Sequence, residues 1–318
     1  MTEIPDVSVV IPTRNRGAVI ADTVDAALGQ NGVEVEVLVV DDGSTDGTWE
    51  WLSSRASDPR LRPLRHDANR GVAAARNTGI VEASGDWLAF LDDDDLWSPD
   101  KLASQLDAMI KVGADWSWTG VMLVDDRRVA LRELPAPPPD GILHRLLADP
   151  VSAIPAGASN VVARTELVRR AGSFDVSFSQ LADWDLWLRL AEVATGASCD
   201  EALVAYVRHD DSMLLTDPAP LLEEYARLRS KHGATASREG TDWDERRFAR
   251  WVASGHRRAG RRVAAAEVYL SSARRNRSAS DLARAGAALL GERAWAPFNS
   301  ARADPGAVAP DWLRLYDR

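Results

Sequence analysis

Four consecutive carboxylates follow an apolar run in the segment FLDDDDLWSPDKL, residues 90–102. Two unit charges about 4 Å apart interact by roughly 4 kcal/mol at an effective dielectric constant of 20, so these aspartates repel one another unless something neutralises them. Side chains alternate in direction along an extended chain, which predicts that Asp92 and Asp94 point together while Asp93 faces a ribose or a basic group. Hard cations such as Mg²⁺ and Mn²⁺ prefer carboxylate oxygens, so Asp92 and Asp94 are candidate metal ligands. A solvated acidic turn is the structural alternative.

The elements before this acidic run predict an open, mostly parallel sheet. Buried strands are predicted at 7–11, 35–40 and 87–91, and helical patterns separate them. Ligands of such sheets bind beyond the carboxyl ends of the strands, so the three turns that follow these strands are predicted to form one crevice. This position favours metal binding over a solvated turn. After the acidic run, Ser98 is predicted to cap a helix that buries Leu102, Leu106 and Ile110.

The composition changes along the chain and predicts two domains. Weaker strand and helix signals continue to about residue 209, and from Pro218 the chain is rich in Ala, Arg, Leu and Glu at helical spacing. We therefore predict an α/β domain at 1–215, made of two halves at 1–111 and 112–215. A helical domain is predicted at 216–318.

Charge and cysteine content limit the classes of function. The chain has 318 residues and a formal net charge of −10, which argues against a nucleic-acid coat because such proteins need a basic surface. The single Cys199 excludes an intramolecular disulfide framework. No basic-apolar leader pattern opens the sequence and no run of 18 apolar residues occurs, which predicts a cytoplasmic protein with at most peripheral membrane contact.

Five motifs in order and spacing resemble the family 2 glycosyltransferases with the GT-A fold. They are VSVVIPTRNR, VVDDGSTDGT, NRGVAAARNTGI, GDWLAFLDDDDLWSPDKL and ADWDLWLRLA, and they span residues 6–191. The resemblance implies a Rossmann-like mixed sheet flanked by helices and a nucleotide-sugar donor, most often a UDP-sugar. It also implies Mn²⁺ or Mg²⁺ and transfer to a hydroxyl-bearing acceptor with inversion at the anomeric carbon. The half at 1–111 would then bind the nucleotide, and the half at 112–215 would bind the acceptor.

The resemblance assigns roles to the residues at the strand ends. Asp92 to Asp94 match the metal- and ribose-binding Asp-x-Asp motif. An Asx turn remains the alternative for Asp42, and a helix-surface salt bridge remains the alternative for Arg76. The nucleotide-binding residues implied are Pro12, Thr13, Arg14, Asp41, Asp42, Arg76 and Asp93.

Inverting transfer also needs a carboxylate near the acceptor hydroxyl. The reaction passes through an oxocarbenium-like state, and a base removes the acceptor proton on the face opposite the leaving group. Asp183 matches the aspartate of the family's Glu-Asp pair, although Ala182 occupies the glutamate position. This departure keeps Asp185 as an alternative base. The structural alternative is that Asp183 and Asp185 lie in the first turn of a helix because the helix dipole favours acidic residues there.

Two further residues carry predictions. His209 follows a predicted strand, and the resemblance makes it a candidate metal or diphosphate ligand, with a surface histidine as the alternative. Trp184 is the candidate for stacking on an acceptor sugar, although tryptophans at this spacing are more often core.

The helical tail leaves several functions open. Its basic segments, HRRAGRR at 256–262 and ARRNR at 273–277, suit either contact with anionic lipid or internal ion pairs, and the tail is also a candidate homodimer surface. The sequence favours a glycosyltransferase of cell-surface polysaccharide, glycolipid or natural-product synthesis. A metal-dependent nucleotide-sugar phosphohydrolase and a non-catalytic nucleotide-sugar-binding protein remain the alternatives.

Overall fold

The computed structural model describes residues 6–17, 19–149, 151–208, 218–298 and 307–316. They form two compact units, of which the first comprises residues 1–143, 154–207 and 305–318 and the second residues 144–153 and 208–304. The sequence-based boundary near residue 215 stays a prediction. The two units differ from this prediction in two places. Residues 144–153 belong to the helical unit, and residues 305–318 belong to the unit that contains the sheet.

One mixed sheet organises the first unit. Its strands are β1 (Val7–Thr13), β2 (Val35–Asp41), β3 (Leu61–Arg65), β4 (Trp87–Phe90), β5 (Leu96–Trp97), β6 (Trp116–Val124), β7 (Ala130–Leu134), β8 (Val162–Arg164) and β9 (Gly196–Val207). Their order is β3-β2-β1-β4-β8-β6-β9-β5, and β7 pairs with β6. The strands β1 to β4 are mutually parallel where they pair, whereas β8 runs antiparallel to both β4 and β6. The predicted α/β fold class is confirmed.

Helices alternate with these strands along the chain. They are α1 (Ile20–Leu28), α2 (Thr48–Arg55), α3 (Val72–Glu82), α4 (Lys101–Val112), α5 (Ile142–Ala148), α6 (Thr165–Arg170) and α7 (Ala182–Ala191). The strands β1 and β2 are buried at every position, which is why their sequences read as unbroken apolar runs. The last five residues of α5, 144–148, belong to the second unit.

The prediction for α4 was partly wrong. The helix begins at Lys101 rather than directly after Ser98, and Ile110 is 73% exposed. Leu102 is buried as predicted, and the buried face also carries Lys101, Gln105 and Met109. Gln105 is buried because its side chain donates to Ser117 Oγ at 3.2 Å and to the Asn160 carbonyl at 3.0 Å, and a hydrophobic pattern does not reveal such partners.

A short C-terminal segment belongs to the first unit. Residues Asp311–Tyr316 form a 3-10 helix in which Leu313 and Tyr316 are buried in the core of that unit. The Tyr316 hydroxyl donates to the Trp97 carbonyl at 2.8 Å, and Trp312 Nε1 donates to the Ala202 carbonyl at 3.1 Å. The end of the chain therefore holds the β5–β9 edge, next to the acidic run.

The second unit is helical, as the sequence predicts. It contains α8 (Pro218–Arg238), α9 (Glu245–Arg258), α10 (Arg262–Asn276), α11 (Ala279–Leu290) and α12 (Glu292–Trp295). Ser278 caps α11 by accepting a hydrogen bond from the backbone N–H of Asp281 at 3.2 Å. Among the described residues, no helix combines the length and apolar composition needed to cross a bilayer.

Candidate functional site

The ends of β1, β2 and β4 meet at one edge of the sheet, as predicted. In the parallel register, Thr13 at the end of β1 lies beside Asp41 at the end of β2. The acidic run follows β4, which pairs with β1 on its other side. Both parallel neighbours of β1 therefore end in carboxylates at the same edge of the sheet.

The acidic run is a turn rather than an extended strand end. The backbone N–H of Asp95 donates to the Asp92 carbonyl at 3.1 Å, which closes a β-turn over the four aspartates. The prediction of strict alternation was therefore wrong. Asp93 and Asp94 share a partner, since Arg16 Nε lies 3.4 Å from Asp93 Oδ1 and Arg16 Nη2 lies 3.0 Å from Asp94 Oδ2.

Arginines already neutralise part of the run. Arg16 spans Asp93 and Asp94, and Arg76 Nη2 forms an ion pair with Asp92 Oδ1. Arg76 is only 6% exposed, and its guanidinium lies 5.2 Å from the centre of the Phe174 ring. The alternative of a helix-surface salt bridge does not describe this buried contact. Two fixed cations thus oppose the mutual repulsion of the carboxylates before any ligand is considered.

Asp95 anchors the turn to the rest of the sheet. It is fully buried, and its carboxylate accepts from Ser159 Oγ at 2.5 Å and from the backbone N–H of Val207 at 3.1 Å. The same Ser159 hydroxyl oxygen accepts from the backbone N–H of Asp92 at 3.0 Å. Burial, reinforced by the charges of Asp94 and Asp92, raises the pKa of Asp95 well above its ordinary value. Asp95 and Ser159 therefore fix the turn that presents the other three aspartates.

Asp93 differs from its neighbours in electrostatics. Burial, with the charge of Asp94 as the next cause, raises the pKa of Asp93 to about 7, and Arg16 and the Thr13 hydroxyl oppose that rise. The side chains of Asp92, Asp93 and Asp94 are 32%, 13% and 22% exposed. Asp92 and Asp94 are thus the members most open to a ligand.

The donor set fits a metal only in part. Mg²⁺ is commonly held by one or two carboxylates together with substrate phosphates and water, and Asp92 and Asp94 could supply such a pair. Within the described ranges, no group of three or more His, Cys, Asp or Glu side chains is arranged to hold an ion. His209, the predicted third ligand, lies outside the described residues. The described side chains therefore suit an ion whose coordination a diphosphate completes.

The acidic pair after β2 has two different environments. Asp42 accepts from the backbone N–H groups of Arg70 at 2.8 Å and Gly71 at 2.7 Å, and its Oδ1 lies 2.7 Å from His66 Nδ1. These contacts hold the loop before α3, which is a structural role beyond the Asx turn considered from the sequence. Asp41 is fully buried; its Oδ1 accepts from the Ser44 backbone N–H at 2.9 Å, and its Oδ2 lies 3.3 Å from Arg65 Nε.

Asp183 lies in the first turn of α7, near the acidic run. Its Oδ1 accepts from the Trp184 backbone N–H at 2.7 Å. Burial raises its pKa to about 6; Arg76 opposes the rise and Asp92 adds to it. A carboxyl group with such a pKa is suited to accept a proton near neutral pH.

A neighbouring glycine makes room for Asp183. Gly157 has φ +49°, and a Cβ at this position would overlap Asp183 Oδ2. The 3-10 helix Gly157–Asn160 also supplies Ser159, which bonds Asp92 and Asp95. One short helix therefore determines the space around Asp183 and the shape of the acidic turn.

The structure gives Asp185 and Trp184 packing roles. Asp185 is fully buried, and its Oδ2 accepts from Arg189 Nη2 at 2.7 Å and Nε at 3.0 Å. This ion pair ties its carboxylate to α7 and makes it a poor substitute for Asp183 as a base. Trp184 is 2% exposed, so core packing is the role that its placement supports.

Sequence reasoning missed three residues of the site. Arg16 sits in the TRNR segment, and its type and position after β1 were a usable signal. Ser159 and Gly157 gave no comparable signal, because their importance depends on contacts with Asp92, Asp95 and Asp183 that lie far away in the chain.

Comparisons with known proteins agree on the family. The model of "Glycosyl transferase family 2" matches residues 8–155. The succinoglycan biosynthesis protein ExoO of Rhizobium meliloti is 43% identical over 112 residues, which are 35% of this chain and 32% of ExoO. The putative teichuronic acid biosynthesis glycosyltransferase TuaG of Bacillus subtilis is 40% identical over 121 residues, which are 38% of this chain and 48% of TuaG. The chain therefore spans only about a third to a half of these relatives.

A more extended match comes from Escherichia coli. The UDP-Glc:alpha-D-GlcNAc-diphosphoundecaprenol beta-1,3-glucosyltransferase WfaP is 27% identical over 204 residues, which are 64% of this chain and 76% of WfaP. This match reaches well beyond the part of the chain that ExoO and TuaG cover.

Solved structures share the fold. TarS of S. aureus in complex with UDP-GlcNAc has a TM-score of 0.58 at 18% identity, covering 80% of this chain and 72% of TarS. The mannosyltransferase PcManGT of Pyrobaculum calidifontis in complex with GDP-Man and Mn²⁺ has a TM-score of 0.55 at 19% identity, covering 93% of this chain and 79% of PcManGT. With the motifs and the sheet topology, these findings show that residues 8–155 resemble glycosyl transferase family 2 and that the chain shares the GT-A fold of the solved structures, followed by a helical region.

Proposed function

We propose that this protein is a metal-dependent, inverting glycosyltransferase that moves a sugar from a nucleoside-diphosphate donor to a hydroxyl acceptor. The observation that carries the proposal is the meeting of Asp92, Asp94, Arg76 and Asp183 at the carboxyl edge of the sheet. A diphosphate needs cations beside it, and an acceptor hydroxyl needs a base. Both kinds of group are available around this edge.

The acidic turn is the proposed metal and diphosphate region. Asp92 and Asp94 would hold Mn²⁺ or Mg²⁺, and the ion would stabilise the charge that develops on the departing diphosphate. Arg76 and Arg16 position these carboxylates through their ion pairs. Their cationic groups also favour the approach of an anionic donor.

Asp183 is the proposed base. Its raised pKa, about 6, leaves it ionised at neutral pH yet basic enough to accept a proton from an acceptor hydroxyl. Removal of that proton on the face opposite the diphosphate leads to inversion at the anomeric carbon. Asp185 is not the proposed base, because its carboxylate forms an ion pair with Arg189.

The carboxyl ends of β1 and β2, with the loops that follow them, are the proposed nucleotide site. Thr13 and Asp41 lie side by side at these strand ends. The assignment also includes Pro12, which precedes Thr13 in β1, and Arg14, which follows β1. Asp93 would contact the ribose, while Asp42 would act indirectly by holding the loop before α3. A carboxylate that accepts from a ring N–H or a hydroxyl is suitable chemistry for either contact.

A UDP-sugar is the favoured donor. WfaP and WfgD of Escherichia coli are both named as UDP-Glc transferases, and TarS was solved with UDP-GlcNAc. PcManGT was solved with GDP-Man, so a GDP-sugar is the alternative donor to test alongside a UDP-sugar. The names of ExoO, TuaG and WfaP refer to succinoglycan, teichuronic acid and a diphosphoundecaprenol acceptor, and they support an acceptor in polysaccharide or glycolipid synthesis. A cytoplasmic location at the inner face of the membrane stays a prediction. A homodimer formed through the helical region stays a prediction.

Calorimetric titration with UDP and GDP, each with and without Mn²⁺, tests the donor site. We expect UDP to bind in a metal-dependent manner and Asp92→Asn or Asp94→Asn to abolish that dependence. Asp115→Asn is the control, because Asp115 pairs with Arg164 in an exposed ion pair. Equal binding with and without the metal would contradict the proposed site.

A second measurement separates the proposed activity from its alternatives. Incubation with UDP-sugars and cell-envelope acceptors should yield a product with inverted anomeric configuration. Release of free sugar phosphate without any acceptor would indicate a phosphohydrolase. Tight donor binding without turnover would indicate a binding protein.

A further inference from the structure

The second unit has the opposite charge to the rest of the chain. Residues 218–298 contain 16 Lys and Arg side chains and 9 Asp and Glu side chains, and 16 minus 9 gives a net charge of +7. The whole chain has a net charge of −10. A strong charge asymmetry between parts of one chain indicates an anionic partner for the basic part.

The turn between α9 and α10 concentrates this charge. Arg258, Arg261 and Arg262 all lie in the HRRAGRR segment. Within the part of the chain that the structure describes, none of the three forms an ion pair with an acid. The Nε and Nη2 atoms of Arg261 are buried and have no hydrogen-bond partner there. Burial, with repulsion from Arg208 and Arg257, lowers the pKa of Arg258. The turn therefore carries positive charge that the described protein groups do not balance.

Uncovered apolar side chains lie at the same end of the unit. The Arg262 guanidinium at the start of α10 lies 3.1 Å from the place where a Cβ of Gly291 would be, so the end of α11 is adjacent. Leu290, next to Gly291, is 80% exposed, and Val263 is 63% exposed. We call this surface the arginine end and define it by Arg258, Arg261, Arg262, Val263 and Leu290.

The combination of groups identifies the kind of partner. A free phosphate ion would need the arginines but would gain nothing from the exposed Val263 and Leu290. An anionic bilayer suits both, because arginines meet lipid phosphates while apolar side chains enter the boundary beneath the headgroups. We propose that the arginine end of the helical unit docks on membranes that contain anionic phospholipid.

Sedimentation with lipid vesicles tests this proposal on the full chain. Vesicles of phosphatidylglycerol and phosphatidylcholine should bind the protein at low ionic strength, and vesicles of phosphatidylcholine alone should not. Each basic side chain near an anionic surface contributes about a fivefold change in partitioning. We therefore expect Arg258→Glu combined with Arg262→Glu to weaken binding by at least about 25-fold.

The helices themselves provide matched controls. Arg274→Glu with Arg275→Glu makes the same charge change at the other end of α10, where both side chains are exposed, and should reduce binding much less. Val263→Ser with Leu290→Ser should weaken binding about tenfold. Leu282→Ser alters a 57% exposed leucine near the start of α11 and should have little effect.

Several outcomes would overturn the proposal. Equal losses from the two arginine pairs would show a diffuse charge effect, and equal binding to neutral vesicles would remove the role of the lipid charge. Release of the protein by millimolar inorganic phosphate at constant ionic strength would indicate an anion pocket. If a charge reversal lowers the thermal midpoint, Arg258→Gln with Arg262→Gln replaces it. No donor or acceptor is used, so the result is independent of the proposed transfer.

Discussion

Asp281, in the second unit, and Asp183, in the first unit, are carboxylates in opposite surroundings. Asp281 is fully buried and accepts from Arg250 Nε at 2.6 Å, Ser272 Oγ at 2.9 Å and Arg246 Nε at 3.0 Å. Burial alone would raise its pKa, but these hydrogen bonds outweigh burial and hold the pKa below the ordinary value. The charge of Asp281 is therefore secured by the protein itself.

Asp183 has far fewer compensating contacts. Its Oδ1 accepts from the Trp184 backbone N–H at 2.7 Å, and burial raises its pKa to about 6 despite the charge of Arg76. A carboxylate whose partners are complete gains little from taking up a proton, whereas an underpaired one is ready to accept it. The difference separates an acid that holds helices together from an acid that is available for chemistry.

Replacement of Asp183 should produce the largest effect on activity. Asp183→Asn keeps the side-chain shape but removes the base, so we expect the transfer rate to fall by about 10²- to 10⁴-fold. Donor binding measured by calorimetry should stay unchanged, because the base acts on the acceptor. A variant with near-normal turnover would contradict the assignment of Asp183 as the base and show that its raised pKa serves no chemical purpose.

Replacement of Asp281 should affect stability instead. Asp281→Asn leaves Arg246 and Arg250 without their buried counter-charge, and we expect the free energy of unfolding to fall by about 3 to 5 kcal/mol. Donor binding by the protein that remains folded should be normal. Asp115→Asn, at an exposed ion pair with Arg164, should cost about 1 kcal/mol or less.

The stability that Asp281 contributes should also depend on pH. Its folded pKa lies below the ordinary value of 3.8, so the contribution is present above that pH and is lost as the pH falls through the folded pKa. Urea unfolding of the wild type and of Asp281→Asn should therefore converge in acid. Parallel curves at all pH values would contradict this account.

A glycine substitution tests how Asp183 is held. Gly157→Ala would put a Cβ onto Asp183 Oδ2, so we expect activity to fall by about 10- to 100-fold through displacement of the carboxylate. Gly141→Ala is the control, because Gly141 also has a positive φ, +73°, but no atom lies within 4 Å of its added Cβ. Equal losses in the two variants would show that backbone strain, not the position of Asp183, is responsible.

Lys101 extends the comparison to a buried cation that has no acidic partner among the described residues. Its Nζ donates to Gln105 Oε1 at 2.6 Å and lies 4.0 Å from the centre of the Trp97 ring. Burial lowers the pKa of Lys101 from 10.5 to about 7, with opposition from Cys199. The unfolded chain holds this proton to higher pH, so stability should rise with pH through that window.

Lys101→Met should remove this pH dependence. We expect the stability of the wild type, relative to that of Lys101→Met, to increase by about 1 to 2 kcal/mol between about pH 7 and about pH 9. Urea unfolding at both pH values measures the difference. A constant difference would mean that Lys101 keeps an ordinary pKa in the folded protein.

The sequence predicted what depends on local patterns. Runs such as Val7 to Ile11 identified the buried strands, and their order placed Asp41 and the acidic run at one sheet edge. The short β3 was missed because Leu61–Arg65 contains Pro63 and only one fully buried residue. Local periodicity carries no information about a strand of that kind.

The predictions that were wrong concern features set by contacts between residues far apart in the chain. The bend of the acidic run is set by Ser159, which lies 64 residues from Asp95, and no local rule predicts that bond. The buried face of α4 was misassigned at Ile110 because Gln105 is satisfied by partners on other elements. Such polar side chains are buried only where tertiary structure supplies their hydrogen bonds.

The C-terminal 3-10 helix has a consequence for how the protein is made. The core of the first unit includes Leu313 and Tyr316, and the Tyr316 hydroxyl bonds the carbonyl of Trp97, which was synthesised 219 residues earlier. Domains generally begin to fold during synthesis, in the order in which they leave the ribosome. The first unit can therefore begin to fold first, but its core can be completed only after the helical unit and the Asp311–Tyr316 helix have emerged.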